Sequence, residues 1–95
     1  MGIKLIPQIK VTELNANIPP ETMREKRSLS LYGHRTSVAL ETPFWAALDS
    51  AAAEHNISLA ELICKLDDAR ITAKSELGLA AYLRVWVTAK LQKAV

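Results

Sequence analysis

Six residues, Arg35-Thr36-Ser37-Val38-Ala39-Leu40, constrain this chain more than any other stretch. Thr36, Val38 and Leu40 fall on one face and Arg35, Ser37 and Ala39 on the other, the period-two pattern of a strand with one apolar side. Past Glu41, Thr42 and Pro43 read as an N-cap and a first helical position, where the fixed φ of proline suits a helix and its missing N–H is not needed. A strand this short leaves both edges unpaired, an isolated strand is not stable, and nothing downstream reads as a partner for it. The simplest partner is the same strand of a second copy, antiparallel about a two-fold axis. The residues alone therefore imply an obligate dimer.

Two helices follow. Phe44, Ala47, Leu48 and Ala51 recur at helical spacing, which predicts a helix over 43–55. Asn56 ends it, and Ser58-Leu59-Ala60-Glu61 starts another over 59–70: Ser58 can cap the N–H of Glu61, and the Glu61 carboxylate can reach back to the N–H of Ser58. Ile57 and Leu62 stand where a hydrophobic staple needs them. The stretch Ile71-Thr72-Ala73-Lys74 has no proline or glycine to mark an end. Ser75 is a candidate cap for a third helix over 76–93, with Leu79, Leu83, Val87 and Leu91 as its stripe and Trp86 beside it. Trp45 and Trp86 read as core or dimer-interface residues.

The order strand, helix, Asn-centred corner, Ser-capped helix resembles the ribbon-helix-helix DNA-binding fold of the Arc and MetJ repressors. More narrowly it resembles a group of short bacterial ribbon-helix-helix proteins, through Gly33-His34-Arg35-Thr36-Ser37, Leu40-Glu41, Phe44-Trp45, Ala47-Leu48, Ser58-Leu59 and Leu62. Leu83-Arg84-Val85-Trp86-Val87 is similar to that group's last helix, so the likeness runs over residues 28–92. It implies a mainly α chain with one short strand, forming an intertwined homodimer with an intermolecular two-stranded antiparallel sheet, plus a third C-terminal helix. The dimer core would hold Thr36, Val38, Leu40, Phe44, Leu48, Leu62 and Ile63. The outward side chains Arg35, Ser37 and Ala39 would lie in the major groove and read bases: Arg35 can grip guanine O6 and N7, Ser37 can bond several bases, and Ala39 can touch a thymine methyl.

Phosphate contacts are expected elsewhere. Ser58 is first of all a helix cap, and the N–H groups behind it, Leu59's first, also offer a phosphate seat at a positive dipole end. Arg24, Lys26 and Arg27 read as part of a flexible arm over residues 1–27 that binds backbone phosphate, or else as a solvated tail. The domain proper would span 28–95. The run Ser28-Leu29-Ser30-Leu31-Tyr32 alternates too, but its apolar residues are odd-numbered where those of 36–40 are even-numbered. One continuous strand cannot bury both sets, so a bulge or bend at Gly33 would have to switch the parity. Residues 28–32 are therefore read as an approach segment. Ile3–Ile9 and Val11 form a possible short strand within an arm broken by Pro7, Pro19 and Pro20.

The totals exclude more than they assign. A chain of 95 residues holds one domain at most, and 49% hydrophobic residues suffice for a core. Its single cysteine allows no intramolecular disulfide, which fits a reducing, cytoplasmic location, and the resemblance to DNA-binding proteins implies a place at the nucleoid. No run approaches the ~18 consecutive apolar residues of a membrane span, so no membrane partner is expected. Net charge is only +2, but it is unevenly spread. Residues 24–35 carry Arg24, Lys26, Arg27 and Arg35 against Glu25, residues 41–69 carry six acids against Lys65, and residues 70–95 carry five bases against Glu76.

Cys64, His34 and His55 lack zinc-ligand spacing, Asp67 and Asp68 diverge on a helix, and no nucleophile, base and metal set is present. No enzyme activity, cofactor or metal is expected. Two functions remain. The first is sequence-specific binding of double-stranded DNA as a homodimer, in a bacterial transcriptional regulator such as a repressor. The second is a protein-interaction module, such as an antitoxin, that dimerises through the same fold and grips a protein partner with its terminal extensions.

Overall fold

A computed structural model describes residues 22–93. Its elements are β1 (Arg24–Leu31), β2 (His34–Glu41), α1 (Thr42–Glu54), α2 (Leu59–Thr72) and α3 (Leu79–Lys93). The two strands pair antiparallel within one chain, with Leu31 opposite His34, Leu29 opposite Thr36 and Arg24 opposite Glu41. The sequence reading expects one strand and an arm, so this is a correction: β1 takes in both the end of that arm and the whole approach segment. The remainder of the arm, residues 1–21, lies outside the described residues, as does the possible strand at 3–11.

The physical reason is the turn. Tyr32 and Gly33 both have positive φ, 53° and 78°, the combination that a two-residue type I′ turn requires and that matches the twist of the strands it joins. Glycine adopts it freely; tyrosine does not. A two-residue turn makes odd residues of β1 face even residues of β2, so the change of parity at Gly33 needs no bulge. Leu29, Leu31, Val38 and Leu40 all lie on one face, and all are buried. One edge of β2 is thus paired within its own chain, and the other edge is open.

That face closes the core. Leu40, Leu48, Ile63 and Leu83 are wholly buried, with Trp45 and Val87 nearly so. Burial on this scale stabilises by roughly 1.5–3 kcal/mol per large apolar side chain. Of the residues expected in a dimer core, Val38, Leu40, Leu48, Leu62 and Ile63 are buried inside the single chain, whereas Thr36 and Phe44 are only half-buried. The buried face of α1 is Trp45, Leu48, Ala51 and Ala52, rotated from the predicted stripe so that Trp45 replaces Phe44. The Trp45 ring N–H donates to the Glu25 carbonyl at 2.8 Å, a bond that only a β1 strand could offer.

Helix ends follow local chemistry. Glu41, not Thr42, is the N-cap of α1, and no side chain caps it. The Thr42 N–H instead bonds the Met23 carbonyl at 2.8 Å, one further rung beyond the ladder. Asn56 sits at φ 55° and closes α1 with bonds from Ile57 N–H to the Ala52 carbonyl and from Asn56 N–H to the Ala53 carbonyl, a Schellman motif with asparagine in the left-handed position. Ser58 Oγ accepts from Glu61 N–H at 3.0 Å; among the described residues the return bond to Ser58 N–H is not made.

A second Schellman motif ends α2, with Lys74 at φ 54° and Ser75 N–H bonded to the Arg70 carbonyl. Sequence alone gives no warning of it, because lysine stands where glycine is usual. Ser75 caps the loop through Leu77 N–H rather than α3, which starts at Leu79 with the Gly78 carbonyl accepting its first bond. Leu83 and Val87 are buried, but Leu91, expected in the same stripe, is 58% exposed. Helix α3 packs on α1, α2 and β2.

A left-handed lysine holds strain that glycine would not. Lys74→Gly should therefore stabilise the chain by about 0.5–1 kcal/mol, the penalty removed less the extra chain entropy of glycine. Equilibrium urea unfolding measures it; an unchanged or lower midpoint would contradict the assigned motif.

Candidate nucleic-acid interface

The alternation that buries four apolar residues on one face of the hairpin puts a polar set on the other. Arg35, Ser37 and Ala39 lie along β2 on this outer face, opposite Ser30, Ser28 and Lys26 of β1, with Arg24 opposite Glu41 beyond them. Arg24, Lys26, Ser28, Ser30, Arg35 and Ser37 are exposed, and Ala39 is half-buried. The three residues expected to read bases are thus brought together in a row, as the alternation predicts.

Backbone polarity follows from the same turn. The pair that flanks a two-residue turn exchanges both hydrogen bonds, and bonded and non-bonded pairs then alternate along the ladder. Arg35, Ser37 and Ala39 belong to non-bonded pairs, so their N–H and C=O groups point away from β1 along an open edge. Among the described residues one of these groups has a partner: the Ala39 carbonyl, which accepts from Arg84 Nη2 at 3.4 Å.

The cations differ in what holds them. Arg27, expected with Arg24 and Lys26 as a phosphate ligand, is on the inner face instead. Its guanidinium lies 4.7 Å over the Trp45 ring and pairs with Glu25 at 2.5 Å and with Asp49 at 3.2 Å. That removes it from the outer row. Arg84 of α3 pairs with Glu41 at 2.9 Å, and this hydrogen bond holds the Glu41 carboxyl below its usual pKa. The one acid on the outer face of the hairpin is therefore neutralised from within the fold. Arg70 is tied to Asp67 at 2.8 Å and to the Leu77 carbonyl at 3.1 Å, fixing the α2–α3 loop. By contrast, Arg24, Lys26 and Arg35 make no ion pair among the described residues.

Ser58 is exposed at the start of α2, and Leu59 is half-buried against the core. The first N–H groups of that helix have no carbonyl a turn earlier to bond. Asp67 and Asp68 diverge, Asp67 toward Arg70 and Asp68 toward Tyr32. Cys64 is a free, half-buried thiol, and among the described residues no group of His, Cys, Asp or Glu could hold a metal ion. No helix of the described residues is long and apolar enough to cross a membrane.

Sequence reasoning passed over Ser28, Ser30, Tyr32 and Arg84. A signal for the first three existed: two alternating runs separated by two residues ending in glycine are a hairpin signature. Nothing comparable marks Arg84.

A family model described as a ribbon-helix-helix domain matches residues 24–91. The chain belongs to that family, whose domains bind DNA as dimers in transcriptional regulators or antitoxins. No curated protein matches it. Among solved structures it is similar to an uncharacterized protein from Bordetella pertussis Tohama I, with 26% identity and a TM-score of 0.73 over 92% of this chain and 72% of that one.

Tyr32 fastens the hairpin tip to α2. Its hydroxyl donates to the Asp68 carboxylate, with the Cys64 carbonyl oxygen 3.2 Å away. The bond to Asp68 pushes the phenol pKa up to about 12 from an ordinary 10.0. A folded pKa above the unfolded one means that the stabilisation is complete below pH 10 and is lost as pH rises toward 12. Tyr32→Phe should lower the denaturation midpoint at neutral pH, and its difference from the unmodified chain should shrink through that alkaline window. A difference independent of pH would show that the hydroxyl does not make this bond.

Proposed function

We propose that this chain is a homodimeric, sequence-specific DNA-binding protein, a bacterial transcriptional regulator of the repressor kind that works at the nucleoid in the cytoplasm. In this reading the open edges of two β2 strands pair antiparallel about a two-fold axis near Ser37, setting Arg35 across from the partner's Ala39. The two strands enter the major groove, where Arg35, Ser37 and Ala39 meet base edges. Ser58 and the N–H groups of Leu59 and Ala60 take a backbone phosphate.

One observation carries the reading: an exposed, cationic strand face whose adjacent edge has free backbone groups. An exposed edge is a liability that proteins normally cover, and pairing two of them covers both. The self-pairing is also electrostatically permissible, since the cation of one strand lies across from a methyl group. The antitoxin reading relies on both terminal extensions, and of the two α3, with Leu83 and Val87 in the chain's own core, is poorly suited to gripping a partner.

Arg35→Ala tests the reading in mobility-shift assays on selected genomic fragments. Each lost bidentate contact should cost about 1–3 kcal/mol at the base it reads, while salt-sensitive binding to all sequences persists. Unchanged sequence preference would contradict the assignment.

A further inference from the structure

We infer that β1 is a phosphate clamp: in the dimer proposed above, Lys26, Ser28 and Ser30 of each copy contact the sugar-phosphate walls of the groove whose floor β2 reads. This rests on the DNA-binding reading and adds a second row of contacts to it.

The first support is register. Lys26 stands opposite Ala39, Ser28 opposite Ser37 and Ser30 opposite Arg35, so the β1 row runs level with the proposed base-reading row. The second is availability. Among the described residues, Lys26, Ser28 and Ser30 are exposed and make no side-chain hydrogen bond or ion pair, whereas Arg27 between them is consumed by Glu25, Asp49 and the Trp45 ring. The third is shape. Every one of these three cross-strand pairs contains at least one small residue, which leaves a low surface that can come close to another molecule. Exposed strand positions filled for stability alone would favour β-branched or aromatic residues rather than serine.

Width then decides what the row touches. Neighbouring strands are about 4.8 Å apart, so in the order β1-β2-β2-β1 the two inner strands fit within the groove and the two outer ones stand about 14 Å apart. The major groove is only about 12 Å wide, so four strands cannot all reach its floor. The outer strands meet its rims, where the chemistry is anionic. A lysine ammonium and two hydroxyls are phosphate ligands of the ordinary kind, and the acid that would oppose them, Glu41, is already paired with Arg84.

The test uses the full chain and one duplex carrying a selected site plus one of scrambled sequence, with affinities measured across a salt series. Lys26→Ala should lower the slope of log K against log salt by about 2 for the dimer, one phosphate contact per copy at about 0.9 each, equally on both duplexes. Ser28→Ala and Ser30→Ala should weaken both duplexes equally, several-fold, with the slope unchanged, because a neutral hydroxyl releases no counterion.

If Lys26→Ala changes base preference instead, β1 lies in the groove, and the clamp is wrong while DNA binding stands. If the slope does not move for Lys26→Ala although Arg35→Ala alters preference, the clamp is again wrong and the base-reading row survives. Loss of the effect of Arg35→Ala as well would overturn the underlying reading. Circular dichroism of each variant confirms that the exposed substitutions leave the fold intact.

Discussion

Pairing between β1 and β2, closed by two consecutive residues in the left-handed region, is the constraint on which this molecule depends. Only a turn of that hand returns the chain with the twist its strands already have. Once Tyr32 and Gly33 adopt it, the parity of the ladder follows. Leu29, Leu31, Val38 and Leu40 then face the helices together, and Trp45 finds its acceptor on β1. Without the turn, either Leu29 and Leu31 or Val38 and Leu40 would be left in water. The hydroxyl of Tyr32, reaching Asp68 of α2, compensates part of the strain its backbone carries.

The same alternation sorts charge. Cations that point inward are held: Arg27 by Glu25, Asp49 and an aromatic face, and Arg84 by Glu41 and the Ala39 carbonyl. Arg24, Lys26 and Arg35, which point outward along the hairpin, make no ion pair among the described residues, and Glu41, the acid on that face, is held by Arg84. Paired and unpaired cations are thus divided between the two faces of one small sheet, and the division needs no more than a period of two. Arg84 is the exception that joins them, because the carbonyl it touches lies on the edge that a second copy would use. A carbonyl oxygen has two lone pairs, so the contact and a strand partner are compatible.

Much of this was legible in the residues. The Ser58 cap, the Asn56 corner and the outward row Arg35, Ser37 and Ala39 follow from local rules, because caps and alternation act over a few residues. The hairpin did not emerge, although its parts were visible. The odd and even apolar sets on either side of Gly33 cannot share one face of a single continuous strand, which sets 28–32 apart as an approach segment, whereas a reversal of direction satisfies both sets without a bulge. A lone strand leaves both its edges to be covered by something outside it; the chain covers one edge of β2 with β1 and leaves the other open. The position of Arg27 was hidden for the same reason: as an arm residue it had no face, and as a strand residue it could only point inward. The end of α2 at Lys74 was illegible, since tertiary packing there holds a residue whose own preference gives no sign.

What remains decisive is whether the open edge of β2 meets another copy of itself. Isotope-filtered nuclear Overhauser spectra of a mixture of labelled and unlabelled chains answer this directly, because they register only contacts between different molecules. The account predicts backbone contacts between chains running antiparallel along residues 35–39, together with within-chain contacts between β1 and β2. A sample that binds DNA yet gives only the within-chain set would contradict it.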